Sequence, residues 1–293
     1  MNKKIEKAIV ALKTNQNMYM AWDKAKRYGH FRWIAFWVFS IVPVGKLLCG
    51  RGSDYIEKLK KADCIIKLDG TGIDDDIWFY LPNFEKDSIQ RLMVYTRNFY
   101  ERVELQYLRE NYIRKGDVCL DIGANIGNHS IYFTKMCHAS KVYAFEPVKS
   151  TFAILKKNIS LNGEDTRIEA SNVGISDRTK SARIAHFEEN NIGGTQLVGD
   201  RDGDLRLIAL DDIQFSVNVD FVKIDVEGME YDLLRGGRLF FEKHRPVVFI
   251  EICKRNFIKV DSLMQQYGYH LVEKREGNMM SADNYIYVHV LGG

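Results

Sequence analysis

A short apolar run near the middle of the chain ends in an acidic residue, followed by two glycines four positions apart. The run covers residues 118–120, the acid is Asp121, and the glycines are Gly123 and Gly127. This order predicts a strand, a tight loop and a helix start, with which open α/β sheets hold nucleotide-like ligands. In this glycine loop (residues 121–127) the backbone, including that of Asn125, can approach a ligand closely, and amides at a helix start can bind an anionic group.

A second acidic residue stands at the end of the next apolar run. Glu146 closes residues 142–145 and is followed by Pro147, which is expected to start a helix. A carboxylate at this position can accept hydrogen bonds from both hydroxyls of a ribose. Dinucleotide-binding enzymes have glycine where this chain has Asp121. The two acids together therefore favour an amino-acid-bearing nucleoside such as S-adenosylmethionine over a dinucleotide.

Asn172, Val173 and Gly174 follow a third apolar run. Because strand ends of a parallel sheet meet at one edge, these residues are expected beside Asp121 and Glu146. A polar side chain there can bond the amino group of an adenine, while an apolar one covers a face of the base. A plain turn without a ligand is the alternative for this segment.

The residues best suited to acid–base chemistry lie around two later strands. Lys223 and Asp225 are two apart in an apolar run, so they point to the same face, and Glu227 follows on the loop. A buried strand rarely carries such charges without a use for them. Asp225 or Glu227 is the favoured general base, and Lys223 holds a carboxylate or a substrate oxygen, with a structural salt bridge as the alternative. Glu251, in the next apolar run, is either a base or a helix cap.

These motifs and their order resemble the FkbM family of S-adenosylmethionine-dependent methyltransferases. The similar runs are LDIGANIGNHS, VYAFEP, NVGISD, VDFVKIDVEGMEYDLLRGG and PVVFIEI, with Phe99-Tyr100-Glu101 ahead of the first and Gly193-Gly194-Thr195 before the fourth. The likeness covers roughly residues 95–255. It implies a class I methyltransferase fold, S-adenosyl-L-methionine as the cofactor, and methyl transfer to a hydroxyl, often on a sugar or glycan.

The hydrophobic pattern predicts an α/β fold with a mostly parallel seven-stranded sheet and helices on both faces. The predicted strands are 117–121, 141–145, 166–171, 220–225, 246–251, 268–274 and 284–290, and the helices between them are 127–138, 148–161, 229–235 and 255–267. The last two strands are expected to close the sheet as an antiparallel hairpin. Residues 186–204 are polar and glycine-rich and are expected to form a loop on the ligand side.

Ahead of the sheet, a different organisation is expected. Residues 1–98 are predicted to be a mainly helical extension with a short hairpin at 64–68 and 77–81, and residues 99–293 the methyltransferase domain, beginning with a helix at 99–114. An aromatic run flanked by basic residues lies within 31–48. It is shorter than a bilayer span and fits either a buried helix or a peripheral membrane contact.

Composition limits the environment and the partners. A net charge of +3 argues against a dedicated nucleic-acid binder. The five cysteines form no CxxC pair, which predicts reduced thiols in a cytoplasmic protein, and no metal ligand set can be recognised. The lysine-rich first residues do not have the pattern of a secretory signal.

Several other functions fit the motifs less well. An oxidoreductase using NAD would need a third glycine after the first strand, and a base methyltransferase an NPPY-like run after the fourth. A non-catalytic methyltransferase-fold module in a glycan-assembly complex would have no physical need for the acids of the motifs. A methyltransferase of a small metabolite stays open beside one that acts on a capsule, lipopolysaccharide or related saccharide.

Overall fold

The computed structural model describes residues 57, 59, 61–69, 75–186, 196–275 and 282–290. The chain divides into two compact units, residues 1–100 with 189–191 and residues 101–188 with 192–293. Most of the predicted helical segment, including the aromatic run within 31–48, lies outside the described residues, as does the Gly193-Gly194-Thr195 motif. The assignment of an N-terminal extension and a catalytic domain stays a prediction.

An antiparallel hairpin lies in the first unit, where two short apolar runs suggested strands. β1 (Ile65–Lys67) pairs with β2 (Trp78–Tyr80), with Ile66 opposite Phe79. Both of these side chains are buried, whereas their neighbours along each strand are more exposed. The hairpin therefore turns one apolar face inward, as a half-buried antiparallel pair does.

Helix α1 (Ser88–Thr96) follows the hairpin and was not predicted from the sequence. It begins after Asp87, whose carboxylate accepts a hydrogen bond from the Gln90 amide at 2.8 Å. An N-cap of this kind stabilises a helix by about 1 kcal/mol. The local signals were therefore present, because Gln90, Met93 and Val94 also form a buried stripe at helical spacing in this nine-residue helix.

The second unit holds the remaining elements. Its strands are β3 (Val118–Ile122), β4 (Lys141–Phe145), β5 (Ile168–Ser171), β6 (Gly174–Ser176), β7 (Lys180–His186), β8 (Gln196–Gly199), β9 (Leu205–Ala209), β10 (Phe221–Ile224), β11 (Val247–Cys253), β12 (Tyr269–Arg275) and β13 (Ala282–His289). Its helices are α2 (Arg102–Asn111), α3 (Asn128–Lys135), α4 (Lys149–Leu161), α5 (Glu230–Arg235), α6 (Arg238–His244) and α7 (Phe257–Gln266). Every strand and helix predicted after residue 98 has its counterpart here. None of the helices in the described part of the chain is long and apolar enough to cross a membrane.

Seven strands form the predicted sheet, in the order β12-β13-β11-β10-β3-β4-β5. β11, β10, β3, β4 and β5 run parallel, and β13 and β12 close one edge as an antiparallel pair. The chain moves outward from β3 first toward β5 and later toward β11. This reversal makes the carboxyl end of β3 the topological switch point, where open α/β sheets bind ligands.

The two central strands are buried along their whole length because helices cover both faces of the sheet. On one face, Leu120 and Val222 belong to a core cluster with Leu233 of α5 and other apolar side chains of α6 and α7. On the other face, Phe221 packs edge-to-face on Phe133 of α3, with ring centroids 5.6 Å apart. Polar groups on such strands must find partners inside the protein.

A second sheet of four strands, in the order β6-β9-β7-β8, was not predicted. β6 lies in the segment for which a plain turn was the alternative, and β8 lies within the predicted loop at 186–204. The loop prediction is therefore wrong for residue 186, the last of β7, and for residues 196–199. Polar composition indicates exposure, whereas strand formation here follows from antiparallel pairing with β7, which satisfies the backbone groups.

Candidate active site

Four neighbouring strands, β11, β10, β3 and β4, end at one edge of the sheet and bring the predicted residues together. In the strand register, Lys223 of β10 lies beside Asp121 of β3. Asp225 and Glu146 directly follow β10 and β4, and Glu251 lies near the end of β11. Parallel pairing thus converts five positions spread over 130 residues of sequence into one group.

Asp121 is fully buried near the end of β3, and both of its carboxylate oxygens have partners. Ser130 Oγ donates a hydrogen bond to Oδ2 at 2.6 Å, and Lys223 Nζ lies 3.3 Å from Oδ1. A buried carboxylate is tolerated when it is paired and hydrogen-bonded. Asp121 therefore ties β3 to the first turn of α3 and to β10, and so holds the glycine loop at both ends.

Lys223 is the cation at the centre of the site, and its side chain is only 3% exposed. Its ammonium donates to the Gly123 carbonyl at 2.7 Å and lies 3.6 Å from Asp225 Oδ2. Burial lowers the pKa of Lys223, but the carboxylates of Asp121 and Asp225 outweigh burial and raise it above its ordinary value. Lys223 is therefore charged, and these contacts fit both the expected role of holding a catalytic carboxylate and the alternative of a structural salt bridge, so its role stays a prediction.

The glycine loop is pressed against the end of β10. Gly123 has a φ of +78°, and a Cβ there would lie 1.8 Å from the Asp225 carbonyl oxygen. Asn125 also adopts a left-handed backbone, with a φ of +49°. Only a residue without a side chain fits at Gly123, because both the conformation and the close approach exclude a Cβ.

Glu146 is buried at the end of β4, and each of its oxygens accepts one backbone hydrogen bond. The Asn125 amide donates to Oε2 at 3.0 Å and the Val148 amide to Oε1 at 2.9 Å. Burial raises the pKa of Glu146 to about 7, against the lowering effect of these two amides. The side chain therefore joins the glycine loop to the start of α4 and keeps its carboxylate at the sheet edge.

The third predicted segment packs against the same edge. The Asn172 side-chain nitrogen donates to the carbonyls of Glu146 and Pro147, at 2.8 and 3.0 Å. A Cβ on Gly174 would lie 2.5 Å from Leu207 Cδ2, so a larger residue there would have to displace the end of the Leu207 side chain. Val173 packs against the main core cluster. Among the side-chain atoms of residues 172–174, Asn172 Oδ1 can accept a hydrogen bond from an adenine amino group.

Asp225, Glu227 and Glu251, here called the acidic group, lie beside the glycine loop. Burial raises the pKa of Glu251 to about 9, and the nearby carboxylates of Asp225, Glu101 and Glu227 add to the shift. Burial also raises the pKa of Asp225, against the lowering effect of Lys223. Like charges so close together cannot all ionise, so the acidic group retains a proton at neutral pH, and the raised pKa of Glu251 places it there.

Glu101 and His129 complete the cluster, although neither was among the predicted site residues. Glu101 Oε2 lies 3.4 Å from His129 Nε2, and their side chains are 14% and 9% exposed. Glu101 precedes α2 with a left-handed backbone, φ +56°. The Phe99-Tyr100-Glu101 motif and the position of His129 after the glycine loop were visible signals. The return of α2 to the sheet edge was not, because it depends on long-range packing.

The described residues contain no group of three or more His, Cys, Asp or Glu side chains arranged to hold a metal ion. The neighbours that lower the pKa of Asp225 are the ammonium of Lys223 and the imidazole of His129. This combination of carboxyl groups, an ammonium and an imidazole is suited to acid–base chemistry.

A parallel sheet with this strand order, a glycine loop after its first strand and an acid after its second defines a class I, Rossmann-like methyltransferase fold. The sequence-family model of the methyltransferase FkbM domain matches residues 121–271, which are more than half of the chain. This protein belongs to the FkbM methyltransferase family, and the resemblance inferred from the motifs is confirmed. It is a methyltransferase.

Two similar proteins are themselves methyltransferases. The chain is 25% identical to methyltransferase sdnD of Sordaria araneosa over 194 residues, which cover 53% of this chain and 74% of that protein. It is 23% identical to methyltransferase 1 of Beauveria bassiana (strain ARSEF 2860) over 186 residues, covering 53% and 73%. The structure of methyltransferase FkbM from Methylobacillus flagellatus KT is similar with a TM-score of 0.44 and 19% identity, over 71% of this chain and 58% of that one.

Gly123→Ala should destabilise the protein far more than an alanine at another left-handed glycine. Gly163 has a φ of +66°, and no atom lies within 4 Å of the position that a Cβ would take, so Gly163→Ala carries only the conformational cost, about 1–2 kcal/mol. Gly123→Ala adds the clash with the Asp225 carbonyl and should cost more than about 3 kcal/mol. Thermal unfolding of both variants measures the difference, and equal losses would contradict the close approach of the loop.

Glu251→Gln should flatten the decline in stability with rising pH. The folded protein keeps the proton on Glu251 up to about pH 9, whereas the unfolded chain loses it near the ordinary value of 4.5. Between these values the folded state binds more protons, so the free energy of unfolding falls as pH rises. The raised pKa values of Glu146 and Asp225 also lower the free energy of unfolding as pH rises. The raised pKa of Lys223 makes its contribution to stability disappear only at higher pH.

Unfolding temperatures measured from about pH 5 to pH 9 provide the readout. Glu110→Gln, on the exposed face of α2, is the control and should keep the wild-type slope. A Glu251→Gln variant with the wild-type slope would show that Glu251 ionises normally in the folded protein.

Proposed function

We propose that this methyltransferase transfers the methyl group of S-adenosyl-L-methionine to a hydroxyl of a sugar or glycan. The observation that carries the proposal is the acidic group next to the glycine loop, with Lys223 contacting both. An acid–base group is what a hydroxyl acceptor needs, and the loop is where a nucleoside cofactor would bind. A cytoplasmic location and a peripheral membrane contact through 31–48 stay expectations from the sequence.

The residues present fit S-adenosyl-L-methionine. Each Glu146 oxygen accepts one backbone amide, and a carboxylate oxygen can accept a second hydrogen bond, so a ribose diol can be held by the same side chain. The glycine loop offers backbone at close range for the amino-acid end of the cofactor. The holding residues would be Asp121, Gly123, Asn125, Gly127, Glu146, Pro147, Asn172, Val173 and Gly174.

Once bound, the cofactor supplies an activated methyl group on a sulfonium sulfur. The chain must then orient a hydroxyl and take its proton, since a sugar hydroxyl is a weak nucleophile. Asp225 is 35% exposed, and Lys223 opposes the burial that raises its pKa, so Asp225 can accept that proton, with Glu227 as the second candidate. General base assistance of this kind contributes about 10²–10⁴-fold.

Glu251 has a complementary part. Because its pKa is raised to about 9, it carries a proton at neutral pH and can donate a hydrogen bond to an acceptor oxygen. Several carboxyl groups side by side suit a neutral molecule with several hydroxyls, since carboxylates accept hydroxyl hydrogens. The same negative charge disfavours a phosphate or carboxylate at this position. These features support a sugar over an anionic acceptor.

S-adenosylhomocysteine, a product analogue of the cofactor, should raise the unfolding temperature, whereas NAD should not. Glu146→Gln replaces one accepting oxygen by a donor and should weaken S-adenosylhomocysteine binding about tenfold. Glu169→Gln on β5, with a side chain that is 59% exposed, is the control and should bind normally. Stabilisation by NAD instead of S-adenosylhomocysteine would refute the cofactor assignment.

Asp225→Asn should reduce turnover by about 10²–10⁴-fold with little change in S-adenosylhomocysteine affinity, because it removes the base and leaves the loop contacts of Lys223. The assay uses labelled S-adenosyl-L-methionine and a panel of neutral glycans, nucleotide sugars and small hydroxylated metabolites. Glu227→Gln is measured in parallel as the second candidate base. Unchanged turnover in both variants would remove the two carboxylates from the mechanism, and methylation of metabolites alone would refute the sugar acceptor.

A further inference from the structure

The carboxylate of Glu230, the first residue of α5, lies between the two segments that carry the acidic group. It is 1% exposed and has several partners. Oε1 accepts hydrogen bonds from the amides of Gly228 at 2.9 Å and Cys253 at 3.4 Å, and Oε2 accepts one from Asn256 Nδ2 at 2.7 Å. One buried side chain thus bridges the loop after β10 and the end of β11.

Asn256 completes this bridge from the other side. Its Nδ2 atom also donates to the Gly228 carbonyl at 3.1 Å, and the residue is 5% exposed. Both backbone polar groups of Gly228 are therefore held by the pair. Gly228 has a φ of +98°, and the preceding Glu227 has a φ of +48°. A left-handed backbone costs a non-glycine residue about 1–2 kcal/mol, so the conformation of Glu227 must be imposed by its surroundings.

The bridge has a direct bearing on the acidic group. Glu227 precedes the bound Gly228, and Glu251 lies two residues before the bound Cys253 amide on β11. Repulsion between neighbouring carboxylates tends to drive these segments apart. We propose that Glu230 and Asn256 are positioning residues, which hold the Glu227 loop and the Glu251 strand end together so that the acidic group stays assembled. The role of Glu230 and Asn256 in catalysis rests on the proposed function.

Apolar contacts alone could pack α5 against the start of α7, but they would leave the Gly228 and Cys253 amides without an acceptor. The bridge instead ends on backbone groups of the two segments, whose spacing sets the distance between Glu227 and Glu251. Such contacts fix geometry, and small displacements of catalytic groups are costly for the rate.

Glu230→Gln tests the proposal because it keeps the side-chain volume but puts an amide donor against either Asn256 Nδ2 or the two backbone amides. The acidic group should separate, so the fall in unfolding temperature from about pH 5 to pH 9 should shrink by about half. The Glu230→Gln/Glu251→Gln double variant should have the slope of Glu251→Gln alone. Asn256→Ala and Glu230→Gln should be non-additive in unfolding temperature, because they break the same contact.

Two measurements separate positioning from general destabilisation. Tyr267→Phe, which removes the hydrogen bond from Tyr267 Oη to the Leu234 carbonyl at 3.2 Å near the same helices, should lower the unfolding temperature equally at every pH. In Glu230→Gln, S-adenosylhomocysteine affinity should stay within about twofold of wild type, and turnover on a glycan from the panel should fall about tenfold or more.

A Glu230→Gln variant that behaves like Tyr267→Phe, losing stability uniformly with the wild-type pH slope, would overturn the proposal. The unfolding measurements need neither cofactor nor methyl acceptor. Their result therefore stands even if no glycan is methylated, and a failure of the proposed function is distinguishable from a failure of the positioning role.

Discussion

The site depends on the buried ammonium of Lys223. Isolated in the protein interior, this charge would cost several kcal/mol, so it persists only because the Gly123 carbonyl and the carboxylates of Asp121 and Asp225 surround it. These partners belong to the glycine loop, to β3 and to the segment after β10. One cation thus fixes the distance between the loop that would hold a cofactor and the carboxylate that would act on the acceptor.

The same cation also explains how the carboxyl groups differ. Lys223 lies 3.6 Å from Asp225 and opposes the effect of burial there, whereas at Glu251 its influence comes after burial and three carboxylates. Negative charge exceeds positive charge in the cluster, so a proton must be retained, and burial directs it to Glu251. Both carboxyl groups have raised pKa values, and Lys223 opposes the shift more strongly at Asp225 than at Glu251.

The sequence allowed the central sheet and its polar edge to be predicted because both follow from local patterns. Apolar runs of strand length ending in Asp121, Glu146 or Asp225 identify the strands and their carboxyl ends without any long-range information. In the four-stranded sheet, which was not predicted, β9 has a locally readable alternating pattern, whereas β8 becomes a strand only through pairing with β7. Glu101 and Glu230 were not predicted as site residues for a related reason, because their positions in the site depend on how α2 and α5 pack.

The two sides of the site are held by different buried groups, and this division follows from charge. The glycine loop presents the carbonyl oxygen of Gly123 and the carboxylate of Asp121, and a cation such as Lys223 can bind both. The segments carrying the acidic group instead present backbone amides, so the group that joins them must be an acceptor, and Glu230 supplies it with Asn256 as the donor to its second oxygen. A second lysine there would have bonded the carboxylates themselves and lowered their pKa values, removing the proton that Glu251 retains. An anion that binds only backbone and amide donors assembles the acidic group without neutralising it.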